Sequence, residues 1–235
     1  MFEHLMQQPL LPLALTIGVF AAAVGVSAYS KGHPVANPVL ISVIAIILVL
    51  SATHTSYERY FAGAQFIHFL LGPATVALAV PLFRHLHRVR ACALPILVGI
   101  AAGSATGALS VGLIAWISGA QDQLATSLVT KSVTAPVSMA ITPYLGGIPS
   151  LAAIFSVLTG MVGAAFGPSL LDRLGVHDHM HRGLAMGTAS HGQGTARILQ
   201  ESEQAGAFSA LAMGLAALLM ATVMPVLWRL ILGAP

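Results

Sequence analysis

Two short polar stretches interrupt a chain that is 57% hydrophobic, and they hold the residues whose types could do chemistry. One is Thr188–Arg197, TASHGQGTAR, and the other is Thr130–Val137, TKSVTAPV. Polar backbone at membrane depth is tolerated only where protein or a water-filled cavity surrounds it. An ionisable side chain there, such as Lys131, His191 or Arg197, therefore indicates a functional site.

The residues around Lys131 predict a half-helix that begins inside the membrane. Ser132 or Thr134 can cap a helix that starts near Ala135, and Pro136 suits the first turn because its missing N–H loses nothing there. The N–H groups and the dipole of such a helix start favour an anion, and Lys131 would add charge. The alternative is that Lys131 extends its ammonium group to the membrane surface.

Gly192 and Gly194, in the stretch Thr188–Arg197, predict a break in a helix. We expect Thr195 to cap a second half-helix, Ala196–Glu203, with Arg197 in its first turn. The dipole alone disfavours a cation there, so this position makes sense if an anion binds between the two half-helices. The guanidinium fork suits two hydrogen bonds to a carboxylate. An i,i+4 salt bridge from Arg197 to Glu201 is the alternative, and it does not exclude anion binding.

The remaining polar residues at the break complete the predicted site. His191 is interpreted as a ligand of the substrate or as a proton carrier, against the alternative of a hydrogen-bonded core histidine. Ser190 and Gln193, together with Ser132, are expected to contact a hydroxyl or carbonyl group of the substrate. No nucleophile–base pair, nucleotide motif or paired metal-ligand cluster stands out, so we expect no enzyme, no cofactor and no metal site.

Composition places the whole chain in a membrane. Only 7% of the 235 residues are charged, and the mean hydropathy is +0.87, whereas a soluble domain carries roughly 25% charged residues. No polar stretch is long enough for a linker, so we expect a single integral membrane domain over residues 1–235. The basic charge balance is interpreted as membrane topology, which excludes a nucleic-acid partner.

Hydropathy predicts an all-α polytopic protein of about eight transmembrane segments, two of them discontinuous. The predicted segments are Leu10–Tyr29, Asn37–Thr53, Ala64–Phe83, Ala91–Ser118, Leu124–Tyr144, Ile148–Leu171, Gly183–Glu203 and Ala205–Leu232. The arginine-rich loop 84–90 is predicted to be cytoplasmic, which puts loop 172–182 outside.

Matched motifs predict two inverted three-helix repeats, at about 35–118 and 124–203, between flanking helices 10–29 and 205–232. Small residues at Gly99, Gly103 and Gly107, and along Gly206–Gly214, predict close helix packing, and a homodimer is plausible.

Several motifs together resemble the LrgB/CidB family of membrane proteins over about residues 37–225. They include Lys131-Ser-Val-Thr-Ala-Pro136, Gly146-Gly-Ile-Pro-Ser150 and the run Arg182–Arg197. Gln193 departs from the isoleucine that is common in the family at this position.

The resemblance implies two functions. Some members move small carboxylates such as glycolate, glycerate or pyruvate across a membrane, and we expect this chain to do so by alternating access in a bacterial cell membrane. Other members are named as antiholin-like regulators of murein hydrolase activity and lysis, acting with a small LrgA/CidA-type partner. The pairing of cations with half-helix starts favours carboxylate transport.

Overall fold

The computed structural model describes residues 10–30, 36–77 and 79–232, and all regular structure in these residues is helical. The chain divides into two compact units, residues 1–77 and residues 78–235. The expectation of one integral membrane domain stays a prediction.

The described residues of the first unit contain three helices: α1 (Leu10–Tyr29), α2 (Pro38–Ala52) and α3 (Tyr57–Ala77). The side chain of Asn37 caps α2 by accepting hydrogen bonds from the backbone N–H groups of Val39 and Leu40, at 2.9 and 3.2 Å. Helix α1 packs against both neighbours, and the hydroxyls of Thr16 and Tyr60 lie 2.7 Å apart between α1 and α3.

The second unit is built around three long helices. It contains α4 (Ala79–Arg84), α5 (Leu86–Ala91), α6 (Ala93–Ile117), α7 (Asp122–Val129), α8 (Ala135–Ile141), α9 (Pro149–Arg173), α10 (His179–Leu199) and α11 (Glu203–Leu232). Two 3₁₀ turns, Thr130–Ser132 and Thr142–Leu145, adjoin α8. The apolar core between α6 and α11 includes Ile96, Ile100 and Phe208.

Four helices of the described residues are long and apolar enough to cross a membrane: α1, α6, α9 and α11. The all-α membrane architecture is confirmed, and the predicted bounds of the first segment, Leu10 and Tyr29, are the first and last residues of α1. The third predicted segment began too late, because α3 begins at Tyr57. Eight crossing segments are not confirmed in the described residues: the second predicted segment is a 15-residue helix, the third is not among these four, and the fifth and seventh fold back on themselves, as described below.

Helix α10 turns back on itself at His191. The backbone of His191 has φ 40° and ψ −127°, which is not helical. Arg182 near its start donates a hydrogen bond of 2.8 Å to Glu201, which lies just beyond its end. A straight helix would separate two residues 19 positions apart by about 28 Å. Residues 179–201 therefore form a re-entrant hairpin, hairpin 2, whose two ends lie on one side of the membrane.

Residues 122–148 fold back in the same way and form hairpin 1. The backbone N–H of Ile148 donates a 2.8 Å hydrogen bond to the hydroxyl of Ser127, 21 positions earlier. The hydroxyl of Thr130 lies 2.7 Å from that of Ser138 and 2.9 Å from that of Thr142, which ties α8 to the entering arm. Because α9 separates the two hairpins and crosses the membrane, they enter from opposite sides.

The fold-back of hairpin 2 overturns the predicted topology of the second unit. Arg84 pairs with Glu203 at 2.8 Å, and the charge of Arg88 acts on Asp178. The arginine-rich loop and loop 172–182 therefore lie on the same side, not on opposite sides as predicted. We call this side, which carries Arg84, Arg88 and residues 172–182, the arginine-rich side.

Single cysteines test this topology. We expect His177→Cys and Glu203→Cys, each in a Cys92→Ser background, to react with an impermeant maleimide from the same side of a membrane vesicle. Gln121→Cys should react only from the other side, because α6 spans the membrane between them. An eight-span chain would instead place positions 121 and 177 on one side and position 203 on the other.

Candidate functional site

Lys131 lies in the turn of hairpin 1 and lines a cavity of about 610 Å³ in the second unit. Its side chain is half-buried, and Nζ donates a 3.2 Å hydrogen bond to the hydroxyl of Ser132. In the part of the chain that the structure describes, Lys131 takes part in no ion pair. The cavity therefore presents an ammonium group that no carboxylate of the described residues neutralises.

The wall opposite Lys131 is the small-residue face of α6. A Cβ atom at Gly107 would lie 3.1 Å from the hydroxyl of Ser132, and one at Gly103 would lie 3.0 Å from Cγ2 of Thr188. These two glycines let hairpin 1 and hairpin 2 approach α6 closely, as predicted for this face. Gly99 differs, because a Cβ atom there would meet nothing within 4 Å.

The tip of hairpin 2 packs against the middle of α9. The Nε2–H of His191 donates a 3.0 Å hydrogen bond to the backbone carbonyl of Ser156, which makes His191 part of the buried core at this point. Close approach is possible because α9 has glycines here: a Cβ atom at Gly160 would lie 2.8 Å from the His191 ring, and one at Gly163 would overlap Ser190. The tip of hairpin 2 is thus held against the middle of α9.

Polar atoms at this tip are not all satisfied. Oε1 of Gln193 and Oγ of Ser156 are buried and have no hydrogen-bond partner among the described residues. Buried polar atoms in proteins are nearly always hydrogen-bonded, so two such atoms in one place indicate a ligand or water site. Lys131 is close enough for its charge to act on His191, which connects the tip of hairpin 2 with the turn of hairpin 1.

The predicted capping threonines do not cap helices with their side chains. Helix α8 does begin at Ala135 as expected, with Thr134 at the N-cap position, but the Thr134 side chain makes no capping hydrogen bond. The prediction for Thr195 is wrong, because the helix turns four residues earlier. The hydroxyl of Thr195 donates a 2.8 Å hydrogen bond to the carbonyl of His191 and lies 2.8 Å from the hydroxyl of Ser209 in α11.

The prediction required Arg197 to be buried beside Lys131, and the structure does not place it there. Its side chain is 38% exposed and pairs with Glu201 at 3.2 Å, the i,i+4 alternative. Arg197 is absent from the residues that line the Lys131 cavity. Hairpin 2 places it on the returning arm, near the base, whereas Lys131 approaches the tip. Its role as a carboxylate ligand stays a prediction.

Arg182 is the buried arginine that sequence reasoning missed. Its side chain is 8% exposed and pairs with Asp172 at the end of α9 and with Glu201. It also donates a 3.0 Å hydrogen bond to the carbonyl of Val176. Since Glu201 also binds Arg197, these four side chains form one network, the arginine network, which closes the base of hairpin 2. Arg182 was taken for the end of a loop, and only the fold-back reveals its partners.

The loop before hairpin 2 is fixed by Asp178, the N-cap of α10. Its carboxylate accepts hydrogen bonds from the backbone N–H groups of Met180 and His181. Burial opposes ionisation, but these hydrogen bonds and the charges of His181 and Arg88 outweigh it, so the pKa of Asp178 is lowered. Within the described ranges, no group of three or more metal-ligating side chains converges, the histidines of this loop included.

The LrgB-like family model matches residues 16–230. This chain belongs to the LrgB-like family. Among its relatives, the Bacillus subtilis protein YxaC is 36% identical over 91% of this chain and 94% of its own length. The "Holin-like protein CidB" of Staphylococcus epidermidis is 33% identical over 83% and 85% of the two chains. That of Staphylococcus aureus is 30% identical over 94% and 96%.

Together with the four apolar helices, these relatives establish this LrgB-like chain as a multi-pass membrane protein of bacteria. No solved structure matches the chain.

Removal of the buried arginine should destabilise this LrgB-like protein. We expect Arg182→Ala to lower stability by about 3 kcal/mol, the low end for breaking a buried ion pair, because Glu201 keeps Arg197 and Asp172 is mostly exposed. The unfolding temperature in detergent measures the change. Arg84→Ala is the control, because its pair with Glu203 is exposed and such pairs contribute about 0–1 kcal/mol. Equal unfolding temperatures for the two variants would contradict a closing role for the network.

Proposed function

We propose that this protein is a secondary transporter of small carboxylates, such as 2-hydroxy or 2-oxo acids of the glycolate, glycerate and pyruvate type, and that it is not an enzyme. The observation that carries the proposal is the unpaired, half-buried ammonium group of Lys131 at a cavity inside the membrane region. An uncompensated cation at this depth costs about 2.5–3.5 kcal/mol on insertion scales, so a bound anion would stabilise it.

The arrangement of the hairpins supports transport. The second unit contains two helix–hairpin pairs of the same kind: α6 followed by hairpin 1, and α9 followed by hairpin 2. The two pairs run in opposite directions in the membrane. This inverted pair differs from the predicted three-helix repeats at about 35–118 and 124–203. Broken helices that meet near the midplane from both sides are where many secondary transporters bind substrate and exchange access between the two faces.

The ligands follow from the two turns. Lys131 and Ser132 from hairpin 1 would hold the carboxylate, with Thr188 of hairpin 2 beside them on the cavity wall. Gln193 does not line this cavity, so its predicted contact with the substrate, like that of Arg197, stays a prediction. Arg197 would act at the base of the hairpin, so we assign the principal carboxylate contact to Lys131.

Positive charge assigns the sides. The arginine-rich side carries Arg84, Arg88 and Arg90, and positive loops remain in the cytoplasm. Hairpin 2 would therefore enter from the cytoplasm, and hairpin 1 from outside.

A regulator of lysis is the second candidate, because relatives are named holin-like. Such a protein would act with an LrgA/CidA-type membrane partner or as a homodimer. It would have no need of an unpaired lysine in a membrane cavity, and a broad pore would not show saturation. Saturable, solute-specific flux separates the two functions.

Uptake into liposomes tests the proposal. Purified protein should take up radiolabelled glycolate or pyruvate saturably under a proton or sodium gradient. Lys131→Ala should lower uptake about 10- to 100-fold, because a charge-assisted hydrogen bond contributes about 1.5–3 kcal/mol. Lys131→Arg should retain part of the activity, and Arg84→Ala should match wild type because Arg84 lies in an exposed pair.

Two results would reject the proposal. The first is equal uptake by Lys131→Ala and wild type. The second is the absence of carboxylate uptake by folded wild-type protein, with and without an LrgA/CidA-type partner.

A further inference from the structure

The cavity that holds Lys131 is elongated along α6. Its lining on α6 extends from Pro95 to Gly107, a rise of about 18 Å. The first arm of α10 follows the same course on the facing side, from Met180 to Ala189. The cavity is therefore an elongated, half-open groove between two helices, with a length well above that of a two- or three-carbon acid.

The two ends of this space differ in chemistry. At one end, Gly107 lies against Ser132, so Lys131 is at this end. At the other end are Met180, which packs against Ile96 and Ile100, and His181, whose side chain is 62% exposed. His181 lies in the first turn of α10, at the base of hairpin 2. The space therefore runs from the arginine-rich side to the half-buried Lys131.

Gly99 occupies the middle of the wall, between the apolar and the polar ends. A Cβ atom at this position would meet no heavy atom within 4 Å, although the helix lines the cavity here. A larger side chain at position 99 would thus extend into the space without displacing the protein around it. This separates Gly99 from Gly103 and Gly107, which are occupied by contacts with Thr188 and Ser132.

We propose that this space is the path by which a small monoanion passes between the arginine-rich side and Lys131, and that Gly99 sets the width of the path. The proposal rests on the proposed transport function for the identity of the solute. The path itself follows from the cavity, the half-buried ammonium group of Lys131 at one end and the exposed His181 at the base of hairpin 2 at the other. One lysine, with no second permanent cation among the described lining residues, suits one carboxylate and not two.

Blocking the path tests the proposal with matched variants. Gly99→Phe fills the space, whereas Gly214→Phe adds the same side chain to α11, where a Cβ atom also meets nothing within 4 Å but the residue does not line this cavity. Both full-length proteins are checked for unfolding temperature in detergent. We expect Gly99→Phe to lower glycolate or pyruvate uptake at least tenfold and Gly214→Phe to stay within twofold of wild type.

A thiol-labelling assay tests the path without relying on transport. Lys131→Cys in a Cys92→Ser background is exposed to a small anionic methanethiosulfonate in oriented membrane vesicles. The cysteine should react from the arginine-rich side, adding Gly99→Phe should slow the reaction at least tenfold, and adding Gly214→Phe should leave the rate unchanged.

The outcomes separate the two proposals. Labelling that Gly99→Phe blocks, without carboxylate uptake by wild type, would support the path and reject the transport function. Carboxylate uptake that Gly99→Phe leaves intact, or labelling of position 131 only from the opposite side, would overturn the path. Loss of labelling with Gly214→Phe as well would also overturn it, because that side chain does not enter the space.

Discussion

The second unit depends on one backbone requirement: a chain that enters a membrane and turns back must hold its turn inside protein. His191 makes the turn with a positive φ, a conformation that costs a non-glycine residue about 1–3 kcal/mol. Two hydrogen bonds fix it, from its ring to Ser156 and from Thr195 to its carbonyl. Close packing completes the restraint, because α9 presents glycines at the contact and α11 presents its backbone to Gly183 and Gly187. The strained tip is therefore held by two helices at once, α9 and α11.

The two hairpins satisfy their polar groups by different means. Hairpin 1 uses hydroxyls: Thr130, Ser138 and Thr142 bond to one another and leave its turn neutral apart from Lys131. Hairpin 2 uses charges at its base, where the arginine network joins both arms to α9. The two hairpins therefore differ in what fixes them: hydroxyl hydrogen bonds near the turn of hairpin 1, and ion pairs of the buried Arg182 at the base of hairpin 2.

Much of the fold could be predicted from the sequence, and the reason for the failures is specific. Long apolar runs such as Leu10–Tyr29 define their own helices, because bilayer thickness sets their length. The polar residues at 130–137 and 188–197 also marked the two breaks correctly. Hydropathy, however, does not distinguish a segment that crosses the membrane from one that turns back inside it. Reversal depends on contacts between residues such as Arg182 and Glu201, which local pattern does not reveal.

The same limit explains the site. Lys131, His191 and Gln193 were predicted as site residues because polar groups stand out in an apolar context, and their roles in binding stay predictions. Arg197 does not lie beside Lys131 as expected, since it is on the returning arm of a hairpin that was interpreted as a crossing helix. Thr188 and Ser156 escaped notice because hydroxyl residues are common in membrane helices, where they bond to their own backbone. Thr188 and Ser156 matter because of their neighbours on other elements: Gly103 of α6 beside Thr188, and His191 of hairpin 2 beside Ser156.

Helix α10 also constrains the order in which the protein is assembled. It is not among the helices apolar enough to cross a membrane, and its entering arm packs through Gly183 and Gly187 onto the backbone of α11. Helix α11 follows it in the chain and is synthesised later. Hairpin 2 can therefore complete its packing only after α11 has been synthesised.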